Sequence, residues 1–73
     1  MEVYKHKNNN RYYIVCRTTK DRVYYVEWNG SNLRYWDSSI VLFHVFKKYL
    51  EPVSKLKEIL IRYEIQQFLE KGI

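Results

Sequence analysis

An α+β domain is what this sequence predicts: a strongly twisted antiparallel sheet of three or four strands, followed by one or two C-terminal helices. Three observations carry that expectation. Residues 11–17, "RYYIVCR", and 22–28, "RVYYVEW", are dense in β-branched and aromatic side chains and bounded by turn-formers, the composition of strands. An Asn-Gly pair at 29–30 follows the second run directly, the strongest short-range hairpin signal, since a type I′ turn needs positive φ at both central residues. The last third, "PVSKLKEILIRYEIQQFLEKG", repeats apolar residues with helical period.

Taken in order, "EVYKHK" near the start is a candidate additional strand, joined to "RYYIVCR" through the "NNN" turn. "TTKD" separates the two central strands, and "LRYW" at 33–36 returns after the Asn-Gly turn as a further strand. Tyr12, Ile14 and Cys16 share one face of the first central strand, and Tyr24, Val26 and Trp28 one face of the second. An even loop would put these sets on opposite sides. An odd loop or one bulge puts both on the core side with Leu33 and Tyr35, and the apolar pattern selects that arrangement. The other face then carries Arg11, Tyr13, Val15, Arg17, Val23, Tyr25, Glu27, Arg34 and Trp36.

After "DSS", which supplies N-cap residues, "IVLFHVFKKYL" has apolar residues at 42, 45, 46, 49 and 50, a helical spacing, although its first half also suits a buried strand. Pro52 ends that segment and suits the first turn of a new helix. In that last helix Leu56, Ile59, Leu60 and Tyr63 form an apolar stripe of helical period, Glu58 and Arg62 an i,i+4 ion pair, and Gly72 the C-cap. Ile61, Ile65, Phe68 and Leu69 widen the apolar arc beyond one stripe, which predicts a second contact, either within the fold or across a homodimer. The helices are expected to cover one face of the sheet.

Seventy-three residues make a single small domain, with a β-rich basic half at 1–37 and a helical half at 38–73. The aromatic share of 18% lets so short a chain build a core, because each large ring buries roughly 150–250 Å². The net charge of +5 is unevenly placed. Residues 1–36 hold seven basic side chains against three acidic ones, and residues 37–73 six against five. A localised positive field favours a polyanionic partner. One cysteine rules out an internal disulfide and, with a polar N-terminus lacking an apolar signal core, points to an intracellular protein. "IVLFHVF" is too short to span a bilayer, so no membrane association is expected.

Catalysis is not expected. His6, Cys16 and His44 lack the close spacing of a metal site, and two glycines cannot build a phosphate loop, so no cofactor is implied. Cys16 reads as a small buried hydrophobe and His44 as a core histidine. Asp21 and Asp37 read as turn residues. The chemistry-bearing pattern is instead the basic and aromatic face. Arginines there neutralise phosphates, and exposed aromatic rings stack on bases. Lys5 and Lys7 on an N-terminal arm, with Arg11, Tyr13, Arg17, Tyr25, Arg34 and Trp36 on the sheet, would bind DNA or RNA without catalysis. The same rings equally suit packing under a helix.

The segment "VYYVEWNGSNLRYWDSS" resembles the middle of chromo- and Tudor-like domains, in which a strand ends in Trp, turns through Gly, and returns to a second Trp and an acid. Trp28, Gly30, Trp36 and Asp37 are those positions here. The resemblance implies a peptide reader with an aromatic cage, Tyr4 and Trp28 filling two cage positions and Ser31 standing at the third. The order of strands then helix is also similar to the DNA-binding domains of phage integrases and plant AP2 factors. The alternative to nucleic acid is therefore a larger protein target, bound either as a chromo-like reader does or by a small viral or mobile-element inhibitor or adaptor.

Overall fold

The computed structural model describes residues 2–71. The expected C-cap, Gly72, lies outside them. Strands β1 (Val3–His6), β2 (Tyr12–Thr18), β3 (Arg22–Trp28) and β4 (Leu33–Ser39) run in sequence. Helix α1 (Ile40–Phe46), a 3-10 turn at Lys47–Tyr49, strand β5 (Leu50–Pro52) and helix α2 (Lys55–Lys71) follow. The sheet is antiparallel throughout, in the order β4-β3-β2-β1-β5. The fold is α+β, as expected. The fifth strand is added by residues 50–52.

The bulge required by the apolar pattern is present. Tyr12 lies opposite Trp28 and Ile14 opposite Val26, but Arg17 lies opposite Tyr24, so Cys16 is the extra residue. One face of the sheet therefore carries Tyr12, Ile14, Val26, Trp28, Leu33 and Tyr35. The other carries Tyr13, Val15, Tyr25, Glu27, Arg34 and Trp36. The bulge has a price in position for two residues. Cys16 is exposed rather than buried, and Arg17 is transferred to the first face, away from Arg11.

The helices lie on both faces, not one. Val3, Ile14, Val26, Trp28 and Ile61 form the core of the first face, with Ile65 and Phe68 packed against them. On the second face Phe46 stands edge-on to Tyr13 at 4.9 Å, and Phe43 lies 5.2 Å from Tyr25. The chain can change faces because β5 intervenes at the edge of the sheet, pairing with β1. Pro52 ends that strand opposite Tyr4 instead of opening α2; Ser54 caps α2, accepting a hydrogen bond from the Lys57 N–H at 3.2 Å. Ser39 caps α1 by accepting from the Leu42 N–H, also at 3.2 Å.

The Asn-Gly signal marks a hairpin of a different type. Gly30 has φ 97°, but among the described residues no other residue type has positive φ, so a type I′ pair is absent. Asn29 instead organises a four-residue loop, its Oδ1 accepting from the N–H groups of Ser31 and Asn32 at 2.9 and 2.7 Å. Gly30 supplies the one left-handed conformation that this loop requires.

Helix α2 turns its second apolar set toward the sheet. Of the residues expected to make a second contact, within the fold or across a homodimer, Ile61 is 1% exposed and Ile65 and Phe68 turn toward the sheet, so the contact is within the fold, while Leu69 remains 46% exposed. Leu56, Ile59, Leu60 and Tyr63, the first apolar stripe, are 48–68% exposed. Both sets have helical period, so periodicity could not choose between them. In the buried set, Phe68 meets the Trp28 ring at 5.1 Å. Shape complementarity to that ring selects the buried side.

Candidate binding surfaces

Of the residues expected to form a nucleic-acid surface, the structure brings Arg34 and Trp36 together and holds Arg11 against Glu27. Arg34 and Glu27 are cross-strand partners on the second face, Tyr13 is the next partner of Glu27, and Trp36 is opposite Tyr25. At the open end of this face, beyond α1, the Arg34 guanidinium lies 4.9 Å from the Trp36 ring centroid. Trp36 is 41% exposed. Its ring already carries a cation from its own strand.

The other expected residues are placed differently. Tyr13 is 4% exposed and Tyr25 half-buried, both roofed by Phe43 and Phe46. Short helix α1 has buried them because Ser39 ends β4 and turns the chain directly back over this face. Arg17 stands on the first face, 5.7 Å from the Tyr24 ring. Lys5 donates to the carbonyls of His6 and Asn9 at 3.1 and 3.0 Å, and Lys7 to the carbonyl of Lys48 at 3.1 Å. These two lysines clasp the adjoining turns and do not form an extended arm.

Glu27 is the functional-looking residue that sequence reasoning passed over. It is 7% exposed, accepts a hydrogen bond from the Tyr13 hydroxyl at 2.7 Å, and has Arg11 Nη1 at 3.7 Å. A buried carboxylate is tolerated where donors and a cation compensate its lost hydration. The available signal was an acid flanked in its strand by Val26 and Trp28. Its negative charge sits beside Arg11 and lowers the local positive potential.

Burial, and then the bond to Glu27, push the Tyr13 hydroxyl from 10.0 up to about 12. Burial raises Tyr25 as well. The folded chain thus holds these protons more tightly than the unfolded chain. The stability that the Tyr13 proton contributes is complete below pH 10 and is lost as pH rises through about 12. Alkaline unfolding followed by circular dichroism should show a loss of stability in that window, with a smaller slope in Tyr13→Phe, which also starts from lower stability. An equal slope in the variant would remove Tyr13 from this role.

The remaining aromatic and polar candidates are dispersed. Tyr24 is 37% and Tyr35 76% exposed, whereas Trp28 is buried. His44 is exposed on α1. Asp37 lies within β4 and accepts two bonds from Arg22, at 3.1 and 2.8 Å, where a turn residue was expected. Tyr4 pairs with Tyr13 and so stands on the face opposite Trp28, so the two expected cage positions do not meet. Among the described residues no group of three or more His, Cys, Asp or Glu could hold a metal ion, and no helix is long and apolar enough to cross a membrane.

The largest unpartnered apolar features are on the helices. On α2, Leu56, Ile59, Leu60 and Tyr63 form one row at i, i+3, i+4 and i+7, facing solvent. By the same spacing Lys55 and Arg62 lie along one flank of this row. On α1, Val41, Leu42 and Val45 are 73%, 64% and 50% exposed. No family model, curated protein or solved structure matches this chain.

Proposed function

We propose that this chain is a small non-catalytic binding module that docks on a larger protein through the outer face of α2. One observation carries the reading: Leu56, Ile59, Leu60 and Tyr63 present two turns of unbroken apolar surface on a helix whose opposite side already serves the core. Exposing such a row is costly in solubility unless a partner covers it. An amphipathic helix of this spacing fits a hydrophobic groove, Tyr63 acting as the aromatic anchor. This is the mode of a small inhibitor or adaptor that occludes its target.

A nucleic-acid partner, favoured by charge placement, draws less support from the geometry. Its stacking residues Tyr13 and Tyr25 lie under α1, Arg17 is on the far face, and a buried carboxylate underlies Arg11. Affinity capture from nuclease-treated lysate separates the two readings. The wild-type chain should retain a protein partner that is lost in Leu60→Glu and kept in Trp36→Ala. Leu60→Glu should leave the fold intact, since exposed substitutions change stability by about 0.5 kcal/mol or less. A nuclease-sensitive partner, or binding to DNA or RNA that weakens steeply with salt, would count against the protein-docking reading.

A further inference from the structure

The two edges of the sheet are built differently. In an antiparallel ladder, hydrogen-bonded and non-hydrogen-bonded pairs alternate, and the latter point their N–H and C=O groups outward from an edge strand. On β5, the Lys7 N–H donates to the Tyr49 carbonyl and the Val53 N–H to that of Val3, so Tyr4 and Pro52 form a non-hydrogen-bonded pair. Pro52 therefore stands where an outward N–H would be, and it has none. With three residues and that proline, β5 is a blunted edge.

β4 has no such protection. It runs for seven residues, Leu33–Ser39, pairs with β3 without a register shift, and contains neither proline nor lysine. The Asn29 N–H donates to the Asn32 carbonyl and the Ile40 N–H to that of Asp21, which fixes the alternation from both ends of the strand. Arg34, Trp36 and Ser38 bond inward to β3; Leu33, Tyr35 and Asp37 point their backbone groups outward, while the Ser39 carbonyl accepts from Ser38 Oγ at 3.3 Å as the strand passes into α1.

We propose that a second copy of this chain adds to that edge, β4 against β4, giving a two-fold dimer with one sheet continuous through both copies. This goes beyond the docking reading of α2 and uses a different surface. The charge pattern of the strand admits a second copy only in certain registers. Outward residues must meet outward residues, so the two-fold axis passes through a residue and not between two. An axis through Arg34 or Asp37 sets like charges opposite each other. An axis through Trp36 pairs all seven residues, placing Tyr35 against the partner's Asp37 and Arg34 against the partner's Ser38, with the two Trp36 rings side by side. About that axis no like charges are opposed and every contact is made twice by symmetry, as an isologous interface requires.

The test is the mass in solution. Sedimentation equilibrium of the wild-type chain at high micromolar concentration should give twice the chain mass of 9.1 kDa. Tyr35→Pro removes an outward N–H from each copy while breaking no bond to β3, and Tyr35 is 76% exposed, so the fold should survive. Loss of those two bonds should weaken association roughly tenfold or more. Leu60→Glu should leave the dimer unchanged, which keeps this outcome distinct from failure of the α2 reading. A second test does not depend on that proline being accepted. Trp36→Cys in a Cys16→Ser background should cross-link under mild oxidation, since non-hydrogen-bonded partners stand roughly 4.5 Å apart at Cα, within disulfide range. A wild-type chain that is monomeric throughout, a dimer that survives Tyr35→Pro in a folded chain, or no cross-link at position 36 would each overturn the proposal.

Discussion

Replacing Trp28 by alanine is expected to unfold this protein. Trp28 is 3% exposed at the centre of the first face, opposite Tyr12 and Leu33, with Phe68 edge-on at 5.1 Å. Its indole N–H donates to Glu64 Oε1 at 3.2 Å, so the ring also ties α2 to the sheet through a polar bond. Truncating a buried tryptophan costs about 3–5 kcal/mol, because the cavity forfeits both transfer energy and packing contacts. For a 73-residue domain that is a large part of the whole stability. Thermal denaturation should show no cooperative transition at 25 °C or one far below that of the wild type. A melting temperature within a few degrees of wild type would show that this ring is not the keystone of the first face.

Ile61 and Leu60 should separate just as sharply, although they are adjacent and similar in size. Ile61 is 1% exposed against Val3, Ile14, Val26 and Trp28, whereas Leu60 is 48% exposed. Ile61→Ala should cost about 2–5 kcal/mol, and Leu60→Ala well under 1 kcal/mol. Urea denaturation of the two variants side by side measures the difference directly. Equal losses, or a larger loss at Leu60, would mean that α2 presents its other side to the sheet. The pair therefore also tests which side of this helix is free to bind a partner.

Functional legibility followed the same line as structural legibility. The Arg34–Trp36 pair was readable because alternation along one strand places both on one face, and local spacing suffices for that. Tyr13 and Tyr25 were assigned correctly to that face as well, yet the face did not tell whether it was open. Glu27 was visible as an acid but not as a buried one, since its compensation comes from a tyrosine on the neighbouring strand and the arginine just before that strand. The free edge of β4 depended on strand order, which pairing rules do not specify for a chain of five short strands.

By itself, the sequence determined the elements whose energies are local: two strands rich in rings and β-branched residues, a loop at Asn29–Gly30, a cap at Ser39, and a long C-terminal helix. It also determined that a bulge or odd loop must align Ile14 with Val26, because a one-residue slip would turn a whole apolar row into water. The tertiary structure alone decided which side of each amphipathic element is inside. Ile61 and Leu60 have equal claims by period, as Tyr13 and Tyr12 do by composition. The choice belongs to the partner surface: the Trp28 ring draws Ile61 and Phe68 inward, and a seven-residue helix capped by Ser39 roofs Tyr13 and Tyr25. Burial is a property of pairs of surfaces, and one-dimensional periodicity describes a single surface at a time.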